Sequence, residues 1–163
     1  MRFSAVQLFT TFLTLTTRAL ATITGPFYLT VVPEDGSDTY PVTIATVSRG
    51  AQILSSALEY DQEFTFNTTS NRIFKHDSTT LGNGPLTAGS VVLFNSPSGT
   101  DGSALEQVII DGNTFLVKSG MEDDGIYAWA SSPTTTGLAV EIDYEGPGST
   151  NANSALMLDI VSS

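Results

Sequence analysis

Cysteine is absent from all 163 residues, and histidine and tryptophan occur once each. Without thiols there is no disulfide framework, no zinc-thiolate site, no cysteine nucleophile and no thiol redox switch. One histidine gives no basis for a multi-histidine centre, so no metal is expected. Nothing in the chain forms a nucleotide-binding or other cofactor motif, and no cofactor is expected either. Bases are scarce: six Lys and Arg face 17 Asp and Glu, for a net charge of −11. A surface of that sign repels the phosphates of nucleic acids and anionic lipids, which argues against both as partners. Long apolar runs are missing as well. The longest, Ala5 to Thr17, is shorter than the roughly 20 residues a membrane-spanning helix needs, so no membrane insertion is expected.

That run fits a leader instead. Met1-Arg2 supplies a positive head, Val6, Leu8, Phe9, Phe12, Leu13 and Leu15 an apolar centre, and Ala19-Leu20-Ala21 the small-x-small pattern that signal peptidase accepts. Residues 1–21 are therefore expected to be a secretory signal peptide, with Thr22 opening a single 22–163 domain that is secreted and extracellular. An amphipathic N-terminal helix of the folded domain is the alternative. Cleavage removes Arg2 and Arg18, leaving four bases against 17 acids and a net charge of −13.

From Phe27 onward the period is two. The runs 27–32, 42–47, 63–66, 91–94, 106–110, 115–117, 126–130, 138–144 and 155–161 are short, β-branched or aromatic, and separated by Gly, Pro, Asn, Asp and Ser. In "LAVEIDYE" Val140, Ile142 and Tyr144 share one face, and Glu141, Asp143 and Glu145 share the other. Asp111-Gly112-Asn113 tolerate positive φ and close a hairpin. Residues 49–60 carry Ile53, Leu54, Ala57 and Leu58 at helical spacing but read slightly better as strand. The fold class is all-β: a single-domain antiparallel sandwich or barrel without disulfides. The length also suits a β-trefoil, but the thirds share no recurring motif.

Candidate chemistry is thin. Glu122-Asp123-Asp124, the Glu141/Asp143/Glu145 face and the pair Glu59/Asp61 are the carboxylates a small hydrolase could use, but they read first as a solvated acidic surface. His76 has no nucleophile elbow to serve and reads as a surface residue beside Lys75 and Asp77. Tyr127 and Trp129, two apart in "GIYAWA", form a core pair if they face inward and a ligand platform for sugar rings if they face outward. Asn67-Thr68-Thr69 is a glycosylation sequon at a strand-to-turn step. No catalytic residue is assigned.

A leader ending "RALA", the opening "GPFYLTVVPEDG", and the later "IDGNTFLVKSG" and "GIYAWA" together resemble the secreted hypersensitive-response-inducing elicitor proteins of plant-pathogenic fungi. A looser likeness is to fungal phialide-type cell-wall proteins, which carry cysteines where this chain has none. The elicitor resemblance spans essentially the whole chain and implies a protein perceived by plant cells, with no active-site residues. The partner it implies is a plant cell-surface or apoplastic protein. A cell-wall polysaccharide is the alternative partner, as for a carbohydrate-binding module, and a small acidic-residue hydrolase is the remaining alternative.

Overall fold

Strands form wherever the two-residue period and turn formers agree. The computed structural model of the chain describes residues 23–47, 50–78, 80–94, 102–121, 126–131 and 141–160. The expected leader, residues 96–101 and the 122–124 acidic run lie outside them. Eleven strands follow in order: β1 (Phe27–Pro33), β2 (Tyr40–Thr46), β3 (Gln52–Ser56), β4 (Phe64–Asn67), β5 (Arg72–Lys75), β6 (Ser90–Val91), β7 (Leu105–Ile110), β8 (Asn113–Lys118), β9 (Trp129–Ser131), β10 (Ile142–Tyr144) and β11 (Ser154–Ile160). All named pairings are antiparallel. The 49–60 segment resolves to strand β3, with Ile53 and Leu54 buried. Strand β5 had no counterpart in the sequence reading.

The hairpins follow turn chemistry. Between β7 and β8, Ile110 pairs with Asn113 around Asp111 and Gly112, at φ 51° and 83°. Two consecutive positive φ values match the right-handed twist of the strands, which is why Asp-Gly stands there. Asn113 itself belongs to β8. Gly25 has φ +103°, and a Cβ there would meet the Phe64 carbonyl oxygen at 2.8 Å, so the entry to β1 presses directly on β4.

The pairings build a nearly closed barrel. Strand β1 pairs with β11 along seven positions and with β4 at Phe27–Phe64. Strands β4 and β5, β7 and β8, and β8 and β11 continue the ring. A Leu105 N–H donated to the Asn71 carbonyl, 2.6 Å, links β7 to the start of β5. Three further pairs cap one end: β2 with β3, β9 with β10, and residue 84 with residue 93 (Gly84 N–H to Leu93 carbonyl, 2.8 Å). The caps meet in a triangle. Leu54 donates to the Val92 carbonyl at 2.8 Å, Val92 donates to the Ile142 carbonyl at 3.0 Å, and a Ser55–Glu141 bridge makes the third side. A six-stranded barrel with three capping pairs around a pseudo-threefold axis is the β-trefoil arrangement.

The core repeats that threefold order. Leu29, Ile73 and Leu116, from β1, β5 and β8, are at most 2% exposed. So are Phe64, Leu105 and Leu156 from β4, β7 and β11, and Leu54, Val92 and Ile142 at the cap. Each such side chain stabilises the fold by about 1.5–3 kcal/mol through removal from water. With no cysteine, this packing carries the fold.

Candidate recognition surface

Trp129 faces the core. Its strand pairs with both β10 and β11, which turns the indole inward to 2% exposure. The ring meets Tyr144 edge-on at 5.3 Å, and its N–H points to the Leu116 carbonyl at 3.4 Å. The sugar platform is therefore corrected: Trp129 presents no exposed ring, and half-buried Tyr127 lies ahead of β9 rather than beside Trp129 on an open face.

The acidic strand keeps its alternation. Ile142 and Tyr144 are buried, Glu141 is exposed, and Asp143 and Glu145 are half-buried. Partial burial, with Glu141 and then Glu145 on either side, raises the Asp143 carboxyl above its ordinary value. Ser149 donates to Glu145 at 3.3 Å. Among the described residues no three His, Asp or Glu gather as a metal would need. Glu122, Asp123 and Asp124 fall outside those residues.

Half-buried His76 lies at the β5 end, its Nε2 3.3 Å from Asp77 Oδ1 and 3.7 Å from Glu63 Oε2. Its Nδ1 is buried without a hydrogen-bond partner. This is a local polar cluster at a turn, in keeping with a surface role. Asn67 is exposed at the end of β4, and its side-chain oxygen accepts the N–H groups of Thr69 and Ser70 at 2.9 and 3.0 Å, fixing the turn that carries the sequon.

The sequence reading missed one surface. Among the described residues the exposed large hydrophobics are Leu58 at 92%, Tyr60 at 45% and Tyr40 at 36%. Val42 pairs with Ser56, and the Ala57 N–H bonds the Pro41 carbonyl at 2.7 Å, after which the chain has left β3 by Leu58. The chain then crosses the outer face of β1, where the Tyr60 hydroxyl meets Thr30 Oγ1 at 2.9 Å and its ring tilts against Tyr28 at 5.2 Å. Thr30 in turn hydrogen-bonds the Asp159 carboxylate. Glu59 and Asp61, the chain neighbours of Tyr60, are both exposed.

Two of the basic side chains are turned inward. Buried Arg72 donates to the Asn83 carbonyl and lies over the Phe74 ring. Lys118 donates to the Leu86 carbonyl at 3.1 Å and lies over Tyr144.

Among the described residues no helix is long and apolar enough to cross a membrane. Comparison with protein-family models, curated proteins and solved structures gives no significant match.

Proposed function

We propose that this protein is an exported fungal elicitor that plant cells perceive, and that it acts by being bound rather than by turning over a substrate. The observation that carries this reading is the exposure of large apolar side chains in one short stretch of a well-packed domain, Leu58 at 92% and Tyr60 at 45%. Exposed apolar side chains flanked by polar ones, as Glu59 and Asp61 flank Tyr60, suit a surface that is bound. The resemblance to secreted elicitors and the expected leader supply the setting: an extracellular protein meeting a plant cell-surface or apoplastic protein.

Infiltration of purified protein into leaf tissue tests this, with ion leakage as the readout. Native protein is expected to cause leakage and heat-denatured protein to lose it. A silent native sample overturns the reading. The hydrolase alternative is separated by Glu141→Gln: removing a catalytic acid or base typically lowers rate by about 10²- to 10⁴-fold, whereas a recognition surface tolerates the loss of one rim charge.

A second reading, a cell-wall polysaccharide-binding module, draws on the half-exposed Tyr60 ring above the Thr30–Asp159 pair. Co-sedimentation with insoluble chitin and β-glucan tests it.

A further inference from the structure

We infer that Asn83–Gly84 is a modification site that opens only when the fold does: deamidation there turns a reversible unfolding into a permanent one. The inference concerns the barrel itself and stands whatever the protein binds. Asn83 is the one asparagine of the chain that glycine follows. Such a pair closes on itself readily, because glycine puts no side chain in the path of its own backbone nitrogen. In the reaction the Gly84 nitrogen attacks the Asn83 side-chain carbonyl carbon and gives up its proton. The bond from that carbon to Nδ2 breaks, and the nitrogen leaves as ammonia. Water then opens the cyclic imide at either carbonyl, giving aspartate or isoaspartate.

The native fold blocks each of these movements. Asn83 is 1% exposed, so water is kept from it. Its Oδ1 accepts the Ile73 N–H at 3.1 Å, and its Nδ2 donates to the Gly84 and Ser103 carbonyls at 3.2 and 2.9 Å. One donor on one side and two acceptors on the other fix a single orientation of the amide. The attacking group is held as well, since the Gly84 N–H bonds the Leu93 carbonyl at 2.8 Å. With no cysteine in the chain, no disulfide keeps this loop in place once the barrel opens.

The same contacts make the products unfit to return. Aspartate sets a carboxylate oxygen where Nδ2 donated, against two carbonyl oxygens in a buried site, and such a group is costly there. Isoaspartate adds a methylene to the backbone between two fixed points. These are the Asn83 N–H on the Ile73 carbonyl, at 3.0 Å, and the Gly84 N–H on the Leu93 carbonyl. The longer chain pulls one of them out of register. A chemically altered unfolded state that cannot refold makes stability a matter of lifetime.

The experiment holds the full mature chain at mildly alkaline pH and one temperature, in buffer and in urea above its unfolding midpoint. Mass spectrometry of digests reads the state of every asparagine. Residue 83 is expected to convert first in urea, and at least about a hundredfold more slowly in buffer. Gly84→Ala, followed in urea where folding is not needed, is expected to slow the conversion many-fold. Anion exchange separates converted chains, which carry added negative charge, from intact ones, and each fraction is diluted out of urea and read by Trp129 emission. Intact chains are expected to refold fully and isoaspartate chains to fail. Asn83→Asp is expected to fold with its urea midpoint lowered by about 0.5–1.5 M.

Conversion of residue 83 in buffer at the urea rate overturns the control by folding. Equally fast conversion of the other asparagines in urea overturns the site. Isoaspartate chains that refold as fully as intact ones, or an Asn83→Asp midpoint equal to that of the unaltered chain, overturn the permanence.

Discussion

Truncating the three side chains at the cap triangle tests whether the fold closes as described. Leu54 and Ile142 are 0% exposed and Val92 is 2% exposed, and backbone hydrogen bonds join them in series. Leu54→Ala and Ile142→Ala each delete three buried carbons, worth about 2.4 kcal/mol at roughly 0.8 kcal/mol per group. Val92→Ala deletes two, worth about 1.6 kcal/mol on the same scale. Because the barrel relaxes only partly around each void, the first two are expected to cost about 2.5–5 kcal/mol, and Val92→Ala somewhat less. Total stability for such a domain is about 5–15 kcal/mol, so all three alanine variants are expected to fold. With a urea slope of about 2 kcal/mol per molar, the Leu54 and Ile142 midpoints fall by roughly 1–2.5 M. The sole tryptophan reports the transition directly, since Trp129 lies against Tyr144, two residues from Ile142. Ile142→Asp strands a charge at the same point and is expected to abolish the folded baseline and the β-sheet circular dichroism signal. A shift below about 0.3 M for Leu54→Ala beside a full shift for Ile142→Ala would refute the threefold arrangement, because surface substitutions cost no more than about 0.5 kcal/mol.

Asp143 has its pKa raised by burial and by its acidic neighbours, so the folded state holds this proton to higher pH than the unfolded chain does. Its contribution to stability is therefore full below the ordinary carboxylate range and is lost as pH rises through the folded value. Asp143→Asn is expected to melt at or above the wild-type temperature at neutral pH, with the gap closing below about pH 4; a lower melting temperature at neutral pH refutes this. Asn67 is expected to carry glycan when the protein is secreted from a eukaryotic host, and N-glycosidase treatment then lowers its apparent mass. N-terminal sequencing of that secreted material is expected to begin at Thr22, and a start at Met1 or within β1 counts against the leader.

The strand content was legible because alternation and turn residues agreed locally, as in the buried Ile142 and Tyr144 flanked by Glu141 and Asp143. The threefold order was not. It resides in burial at equivalent positions, filled by Leu29, Ile73 and Leu116 or by Phe64, Leu105 and Leu156, and side chains that differ in kind leave no motif to align. Strand β5 escaped because Arg72 and Lys75 at its ends suggest solvent, whereas Arg72 is buried against the Asn83 carbonyl and the Phe74 ring. The exposure of Leu58 escaped for a related reason. Ile53, Leu54 and Leu58 look alike in a periodic pattern, yet the chain leaves β3 before Leu58, so two are buried and the third is bare. Trp129 was ambiguous because both faces of "IYAWA" are apolar, and only the pairing of β9 decides which side is inside.

Strand β1 finds its longest partner in β11, register by register from Phe27–Ile160 to Pro33–Ser154. The earliest strand of the barrel must therefore wait for the latest. A ribosome that has delivered everything up to Tyr144 has delivered a chain whose ring is still open, with Leu29 and Val31 lacking the neighbours that bury them. Contacts across such a span of sequence make folding slow, and a chain that loses its last strand loses more than its end. The same pairing makes cutting and rejoining natural. If a short linker joined the outer ends of β1 and β11, the chain could instead begin at the Asp111-Gly112 turn, because exposed turns tolerate new ends.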